Sequence, residues 1–373
     1  MAVAGLGSMG SRRVRDLHAL GHEVVGFDLR ADRCAAAAES FAIPIVASAE
    51  ELLAGAGERP PGAGEAGPPE ALVISTPPDR HVEYYERALR AGLPFFSEAN
   101  VLTPSPSWFA QRAADPAVLG HPSATMRFDP QVLALRERLA VLGAEGLRSI
   151  HYAGGDYLPR WHPYERYDEF YAGAARGTGG VRESVPFELD WLCWLLGPVA
   201  AVQALHRACA RWRTDIDDTY LLLLEFESGV VGSIVMELHQ QAPLKLVRFA
   251  HSEQSFTLDM LAGTMIAHRV GPDDEPLSEP FCPQHVDRQR VYLEEIRAFV
   301  EAVSAGRPYP KSWTEDRHHS DVLCAAERSE HTGARVRVAA VADSYEGTDL
   351  TSVPPRLTPA PAPPPPPAPA RDR

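Results

Sequence analysis

The sequence predicts an α/β fold: an N-terminal doubly wound parallel sheet, followed by an α+β domain with a large open, mainly antiparallel sheet. Three observations carry this expectation. Short apolar runs alternate with helical periodicity from Ala2 to Glu98. Strand-like runs then succeed one another across residues 199–258 with no helix between them, and two amphipathic helical patterns, 289–305 and 314–333, follow and should pack back on the body. At 373 residues the chain exceeds what one core serves. The expected divisions are 1–125 and 126–340 for the two domains and 348–373 for a disordered proline- and alanine-rich tail, which has no apolar face to bury.

The first element is the run Ala2-Val3-Ala4, which leads into the glycine turn Gly5-Leu6-Gly7-Ser8-Met9-Gly10. A helix follows with Val14, Leu17 and Leu20 on one face, and it stops at Gly21. The three glycines act separately. Gly5 makes the tight turn, Gly7 lets the backbone approach a pyrophosphate, and Gly10 lets the helix sit close to the strand. The next strand, residues 22–28, ends in Asp28, where the ribose-binding acid of a Rossmann dinucleotide site belongs. A carboxylate there accepts from both ribose hydroxyls and repels a 2′-phosphate, which favours NAD over NADP. Arg30 and Arg33 act against that choice, because a guanidinium pairs with phosphate.

Beyond Asp28 the spacing predicts a helix over 31–40, a short strand over 43–46, the start of a helix over 49–53 and a glycine- and proline-rich loop over 55–69. A buried strand, 71–77, is followed by a helix over 80–91 capped by Asp79 and stopped by Gly92, and then by a strand over 93–98. Ligands of such sheets bind at the carboxyl edge, so Gly7, Thr76, Pro77 and Glu98 should ring one crevice. The second domain should hold a helix over 131–142, a strand over 148–152, a polar and aromatic stretch over 156–170, and a helix over 179–196 with Pro186 in its first turn. Strands over 199–208, 219–227, 230–238, 244–250 and 255–258 complete it, with Ser228-Gly229 as a hairpin turn.

Composition excludes several roles. A formal net charge of −14 argues against nucleic acid or an anionic membrane as partner. No apolar run approaches membrane-spanning length, and the chain enters its first strand without the features of a secretion signal, so a cytoplasmic protein is expected. Five scattered cysteines without C-x-x-C spacing point to neither a disulfide framework nor a zinc site, and no metal is expected.

The glycine turn, the strand end Ser75-Thr76-Pro77 with a helical His81, the strand end Ser97-Glu98, Arg127-Phe128, and Gly179-Gly180 ahead of Asp190 and Trp194-Leu195-Leu196-Gly197 together resemble the Gfo/Idh/MocA oxidoreductases. The likeness covers roughly residues 1 to 340. It implies a Rossmann domain, a second domain whose open sheet often forms an oligomer interface, and hydride transfer between NAD(P) and a carbon of a sugar or polyol. It also implies a lysine after Glu98 and a histidine in the helix after the paired glycines. This chain has Ala99 and Phe187 there, with Glu183 in place of the family's aspartate. Neither alanine nor phenylalanine can move a proton, so the expected oxidoreductase needs another acid–base group.

Candidates fall in two stretches. Residues 156–165 are dense in titratable and aromatic groups, with prolines fixing the path, and residues 182–190 open a helix with charged side chains. The expected proton carriers are His162, first, then Tyr157 and Glu183. Asp156, Trp161, Glu165, Arg182 and Asp190 are the expected substrate contacts. The bland alternatives are ordinary packing for Trp161, a helix or turn histidine satisfied by backbone for His162, and a local ion pair for Arg182 with Glu183. Gly5, Gly7, Ser8, Met9, Gly10, Asp28, Arg30, Thr76, Pro77, His81 and Glu98 are expected around the cofactor. Two other functions stay open: a catalytically silent NAD- or sugar-binding relative, and a lyase or epimerase that uses NAD transiently. The run Leu221-Leu222-Leu223-Leu224, apolar on both faces, points to a homodimer or homotetramer.

Overall fold

The computed structural model describes residues 1–54, 68–112, 120–161, 165–174, 177–209, 214–281 and 286–341. His162, most of the 55–69 loop and the 348–373 tail lie outside these residues. Five parallel strands, β1 (Ala2–Ala4), β2 (Val25–Phe27), β3 (Leu72–Ile74), β4 (Phe95–Ser97) and β5 (Gly120–Pro122), form a sheet in the order β2-β1-β3-β4-β5. Helices α1 (Ser8–Ala19), α2 (Ala31–Phe41), α3 (Ala49–Leu53), α4 (His81–Ala91) and α5 (Pro106–Arg112) alternate with them. Every residue of β1 to β4 is buried, as a parallel sheet covered on both faces requires.

Three local expectations are corrected by the fold. Residues 43–46 contribute only an isolated bridge, Gly26 to Ile45, because Pro44 has no N–H to donate. Asp79 does not cap α4; it lies in the short 3₁₀ turn Pro78–Arg80 that precedes the helix. β5 was not expected: Gly120-His121-Pro122 shows no alternation, and glycine is required because a Cβ at 120 would lie 2.3 Å from the Phe95 ring.

The second sheet follows α6 (Pro130–Leu142) and contains β6 (Leu147–Tyr157). After α7 (Tyr171–Ala174) and α8 (Val181–Leu196) come β7 (Val199–Arg207), β8 (Thr219–Phe226), β9 (Val231–Glu237), β10 (His239–His251), β11 (Ser255–Asp259), β12 (Thr264–Val270) and β13 (Pro276–Pro280). The chain closes with α9 (Arg288–Ala305), α10 (Trp313–Thr332) and the short β14 (Val336–Arg337). The strand order is β13-β12-β11-β10-β6-β9-β8-β7-β14, antiparallel except where β6 meets β9. β12, β13 and β14 add to the expected strands. β6 is longer than expected and carries Asp156 and Tyr157 at its end. Pro186 lies inside α8 rather than at its start, which is Val181.

The inner face of β8, with Tyr220, Leu222 and Leu224, packs in one core with Val185 and Leu189 of α8 and Val322 of α10. Its outer face leaves Leu221 and Leu223 exposed. Helix α9 crosses back to the first sheet, where Ile296 and Phe299 join Val3, Val14 and Phe96 in one core. Among the described residues no helix is long and apolar enough to cross a membrane.

One buried cluster ties these pieces together. Arg13 of α1 donates from Nε to Glu98 Oε1 at 2.6 Å and from Nη2 to Glu98 Oε2 at 3.0 Å and Glu295 Oε2 at 2.7 Å. Glu295, on α9, accepts in turn from Ser123 Oγ, Ala124 N–H and Thr125 Oγ1 at 2.9, 2.6 and 2.9 Å. Removing one partner of a buried pair strands the other charge, so Arg13→Ala is expected to cost about 3–5 kcal/mol in denaturant unfolding. Arg335→Ala, which breaks the exposed pair with Glu225, is expected to cost far less. Equal losses would contradict the role given to Arg13.

Candidate active site

The glycine turn shows why each glycine is there. Gly5 has φ +87°, and a Cβ on it would lie 2.5 Å from the Ser75 carbonyl oxygen. A Cβ on Gly10 would lie 1.8 Å from the Gly5 carbonyl oxygen, so α1 could not sit against the turn. Gly7 is different: it opens onto a crevice, where a Cβ would meet only the Arg33 guanidinium, at 3.2 Å. Gly7 heads α1 without a side-chain cap, so the helix turns unpaired N–H groups toward an anion. Asp28 Oδ2 accepts from Leu6 N–H at 2.7 Å and Oδ1 from Arg30 N–H at 2.9 Å, which fixes the carboxylate beside the turn. These residues fit a dinucleotide: an open, uncapped helix start for its pyrophosphate and a fixed carboxylate for a ribose diol.

The crevice has a volume of about 370 Å³. Gly7, Ser8, Met9, Thr76, Pro77, His81 and Glu98 line it from the first sheet's side, as the carboxyl-edge rule anticipates, together with Trp161, Glu165, Tyr171, Glu183, Ser184, Phe187 and Tyr292 from later in the chain. Gly5 and Gly10 shape the turn from behind. His81 uses both ring nitrogens, Nδ1 against Asn100 Oδ1 and Nε2 against the Thr76 carbonyl, each at 2.8 Å; it braces the strand end instead of offering a free acid–base nitrogen.

A second cavity of about 530 Å³ opens from the same place and shares Thr125, Trp161, Ser184, Phe187 and Tyr292 with the crevice. Asp156, Glu237, Lys245 and Glu188 stand in its walls. Lys245 Nζ donates to Glu188 Oε1 at 2.8 Å, and the Trp191 indole donates to Glu188 Oε2 at 2.8 Å. A crevice at the open helix start, joined to a cavity with charged groups in its walls, can hold two reactants side by side.

Glu183 lines the crevice beside Ser184, which lines both spaces. Its carboxylate accepts from the Tyr171 hydroxyl at 2.9 Å. Burial pushes its pKa up to about 8, Glu98's charge adds to the rise, and the Tyr171 hydrogen bond partly opposes it. Its place in the first turn of α8 favours the anion by only about 0.3–1 kcal/mol, so burial wins. Tyr171 and Lys245 were not read from the sequence, because their stretches show no motif, and Glu188 was not singled out within 182–190; only the fold shows their contacts.

The other expected residues divide. Trp161 lines both cavities and Asp156 the larger. Tyr157 lines neither, and the Arg160 guanidinium lies 5.6 Å over its ring. Arg182 is no substrate clamp: it is buried, donates from Nε to Glu327 Oε1 at 2.5 Å and from Nη1 to the Gly177 carbonyl at 2.6 Å, and reaches neither cavity. Asp190 is paired with Arg127 at 2.8 Å and with Lys311 at 3.4 Å, in a small polar pocket behind Ala99 and Phe187. Glu165 turns to the cofactor side, where it meets Arg30 and Arg33 at 2.6 and 3.2 Å.

Residues 143–257 match the family model described as the GFO/IDH/MocA C-terminal domain, and residues 1–68 match the NAD binding domain of 6-phosphogluconate dehydrogenase. Over its second sheet the chain is similar to the Gfo/Idh/MocA oxidoreductases. Inositol 2-dehydrogenase of Leifsonia xyli subsp. xyli is 26% identical over 336 residues, which cover 84% of this chain and 88% of that protein. Levoglucosan dehydrogenase in complex with NADH superposes with a TM-score of 0.76 at 15% identity, over 90% of this chain and 98% of that one. GenD2 from gentamicin A biosynthesis, in complex with NAD, gives 0.72 at 21% identity over 90% and 95%. The first sheet and its helices form a Rossmann-like domain whose residues 1–68 match an NAD-binding model, and the larger cavity is walled by the sheet that carries the C-terminal match.

Proposed function

We propose that the chain is an NAD-dependent dehydrogenase of a sugar or polyol hydroxyl in which Glu183, supported by Tyr171, carries the proton. The observation that carries this is the place of Glu183: half-buried on the crevice wall, next to Ser184, which lines both spaces, and with its pKa pushed up to about 8. When bound, NAD supplies the acceptor for the hydride that leaves the alcohol carbon. The hydroxyl proton must go elsewhere as the C=O bond forms, and an ionised Glu183 takes it; in the reverse direction the protonated carboxyl returns it. A carboxyl whose pKa lies near the working pH suits both directions. The Tyr171 hydroxyl steadies the ionised form, and Ser184 on the next position of α8 faces both spaces.

The larger cavity supports a sugar-like substrate. Asp156 and the Lys245–Glu188 pair offer acceptors and donors for several hydroxyls, while Phe187 and Trp161 present apolar surface to a ring face. Relatives of the chain are dehydrogenases of an inositol and of levoglucosan, which agrees with that chemistry.

We also propose that the outer face of the second sheet is covered by another copy, as homodimer or homotetramer. Leu205, Leu221 and Val235 lie in register across β7, β8 and β9, and Leu223 stands 60% exposed beside them. Sedimentation at micromolar concentration is expected to show an oligomer that Leu223→Glu dissociates; a wild-type monomer contradicts this.

For the proton, kcat/KM for oxidation of inositol- and anhydrosugar-type polyols is expected to rise with pH and level off above about 8. Glu183→Gln should keep NAD binding and lose about 10²–10⁴ in turnover. Stability should mirror this. The folded chain keeps the Glu183 proton that the unfolded chain releases, so stability falls as pH rises from the ordinary glutamate range to about 8 and is level beyond. Glu183→Gln should therefore melt above the wild type at pH 9, with the gap closing toward pH 5. Full turnover by Glu183→Gln refutes the assignment.

A further inference from the structure

The ribose end of the crevice holds two arginines, which by charge alone would welcome a 2′-phosphate. The Arg30 backbone N–H donates to Asp28 Oδ1, so that arginine shares a turn with the carboxylate placed for the ribose. Arg33 lies in the first turn of α2, and its guanidinium overlies Gly7. Neither is at liberty. Arg30 donates from Nε and Nη2 to the two oxygens of Asp32, at 3.1 and 2.6 Å, and from Nη1 to Glu165 Oε1 at 2.6 Å. Arg33 Nη2 donates to that same Glu165 oxygen at 3.2 Å.

Glu165 comes from far along the chain, beyond the end of β6, and its side chain is only 18% exposed. Both arginines therefore converge on one carboxylate across the crevice, which is a tertiary arrangement and not a helix-surface pairing. Asp28, Asp32 and Glu165 outnumber Arg30 and Arg33 by three charges to two. A ribose diol meets this group without a charge penalty. A 2′-phosphate, bringing about −1.5 to −2 charges, meets arginines already engaged and an excess of acid.

We propose that Glu165 sets the dinucleotide choice, by occupying Arg30 and Arg33 so that they cannot hold a 2′-phosphate. This rests on the NAD-binding reading of the Gly7 crevice. Asp28 repels the phosphate directly, and Glu165 removes the cations that would offset that repulsion. The two acids act from opposite sides of the crevice, one from each sheet's part of the chain.

The test is fluorescence titration of the full chain with NADH and with NADPH. The wild type is expected to bind NADH more tightly. Glu165→Gln should tighten NADPH by about tenfold, the weight of one charge-assisted hydrogen bond made available. NADH should move much less. Adding Arg30→Gln and Arg33→Gln should return NADPH to its wild-type weakness, and raising salt should erase part of the gain. An NADH-to-NADPH ratio unchanged by Glu165→Gln overturns the proposal, as does a gain that survives loss of both arginines. A wild type that binds neither dinucleotide overturns the cofactor reading itself, a result distinct from an unchanged ratio.

Discussion

The structure hangs on a buried cation. Arg13 sits on the first helix with no exposed surface, and its guanidinium holds Glu98 at the end of β4 and Glu295 on α9. Taking such charges out of water costs several kcal/mol per ion, and only complete pairing offsets it. The pairing here is close to complete, because Glu295 also collects three donors from residues 123–125. One guanidinium thus fixes the start of the dinucleotide helix, the rim of the crevice and the returning C-terminal helix in a single arrangement. The packing of Phe299 on Phe96 then has a defined register. So does the join between the two cavities, since Thr125 and Tyr292 stand on the segments that this cluster immobilises.

The electrostatic consequence reaches the chemistry. Glu98 is paired with Arg13 at the crevice wall, and its charge adds to the burial that makes Glu183 hard to ionise. Ala99 and Phe187 leave their positions without proton-moving groups, and the polar pocket behind them is closed upon itself. There Lys311 is held by Asp316 at 2.7 Å and by the Ser123 carbonyl at 2.8 Å, while Arg127 and Asp190 pair with each other. Among the described residues that line the crevice, Glu183, one helical turn before Phe187, has its proton affinity raised toward neutrality.

Much of the first domain was legible in the sequence because its signals are local. A glycine turn between an apolar run and a helical period, with an acid at the next strand end, is contained in residues 1–28, and the carboxyl-edge rule extends it to Thr76, Pro77 and Glu98. The second domain was legible as a succession of strands, but its edges were not. The strand expected over 148–152 runs on through Gly154-Gly155, where Tyr152 and Gln240 fill the space that a Cβ would take, at 2.5 and 2.4 Å. What could not be read was pairing at a distance. Arg182 and Glu183 are adjacent in sequence, and both were candidates for the site. The fold turns Arg182 inward to Glu327 and Glu183 outward to Tyr171, a difference that no periodicity encodes. Likewise Arg13 stands among Arg12 and Arg15 with nothing to distinguish it until Glu295 arrives from the far end of the chain.

The proposed chemistry turns on Glu183 being a carboxyl that keeps its proton at neutral pH. A titration followed by carbon NMR on chain labelled at the glutamate carboxyls measures that directly, with Glu183→Gln identifying the resonance by its loss. The resonance is expected to titrate near pH 8. A Glu183 resonance that titrates in the ordinary glutamate range, with the folded chain intact, would contradict the proton-carrying role.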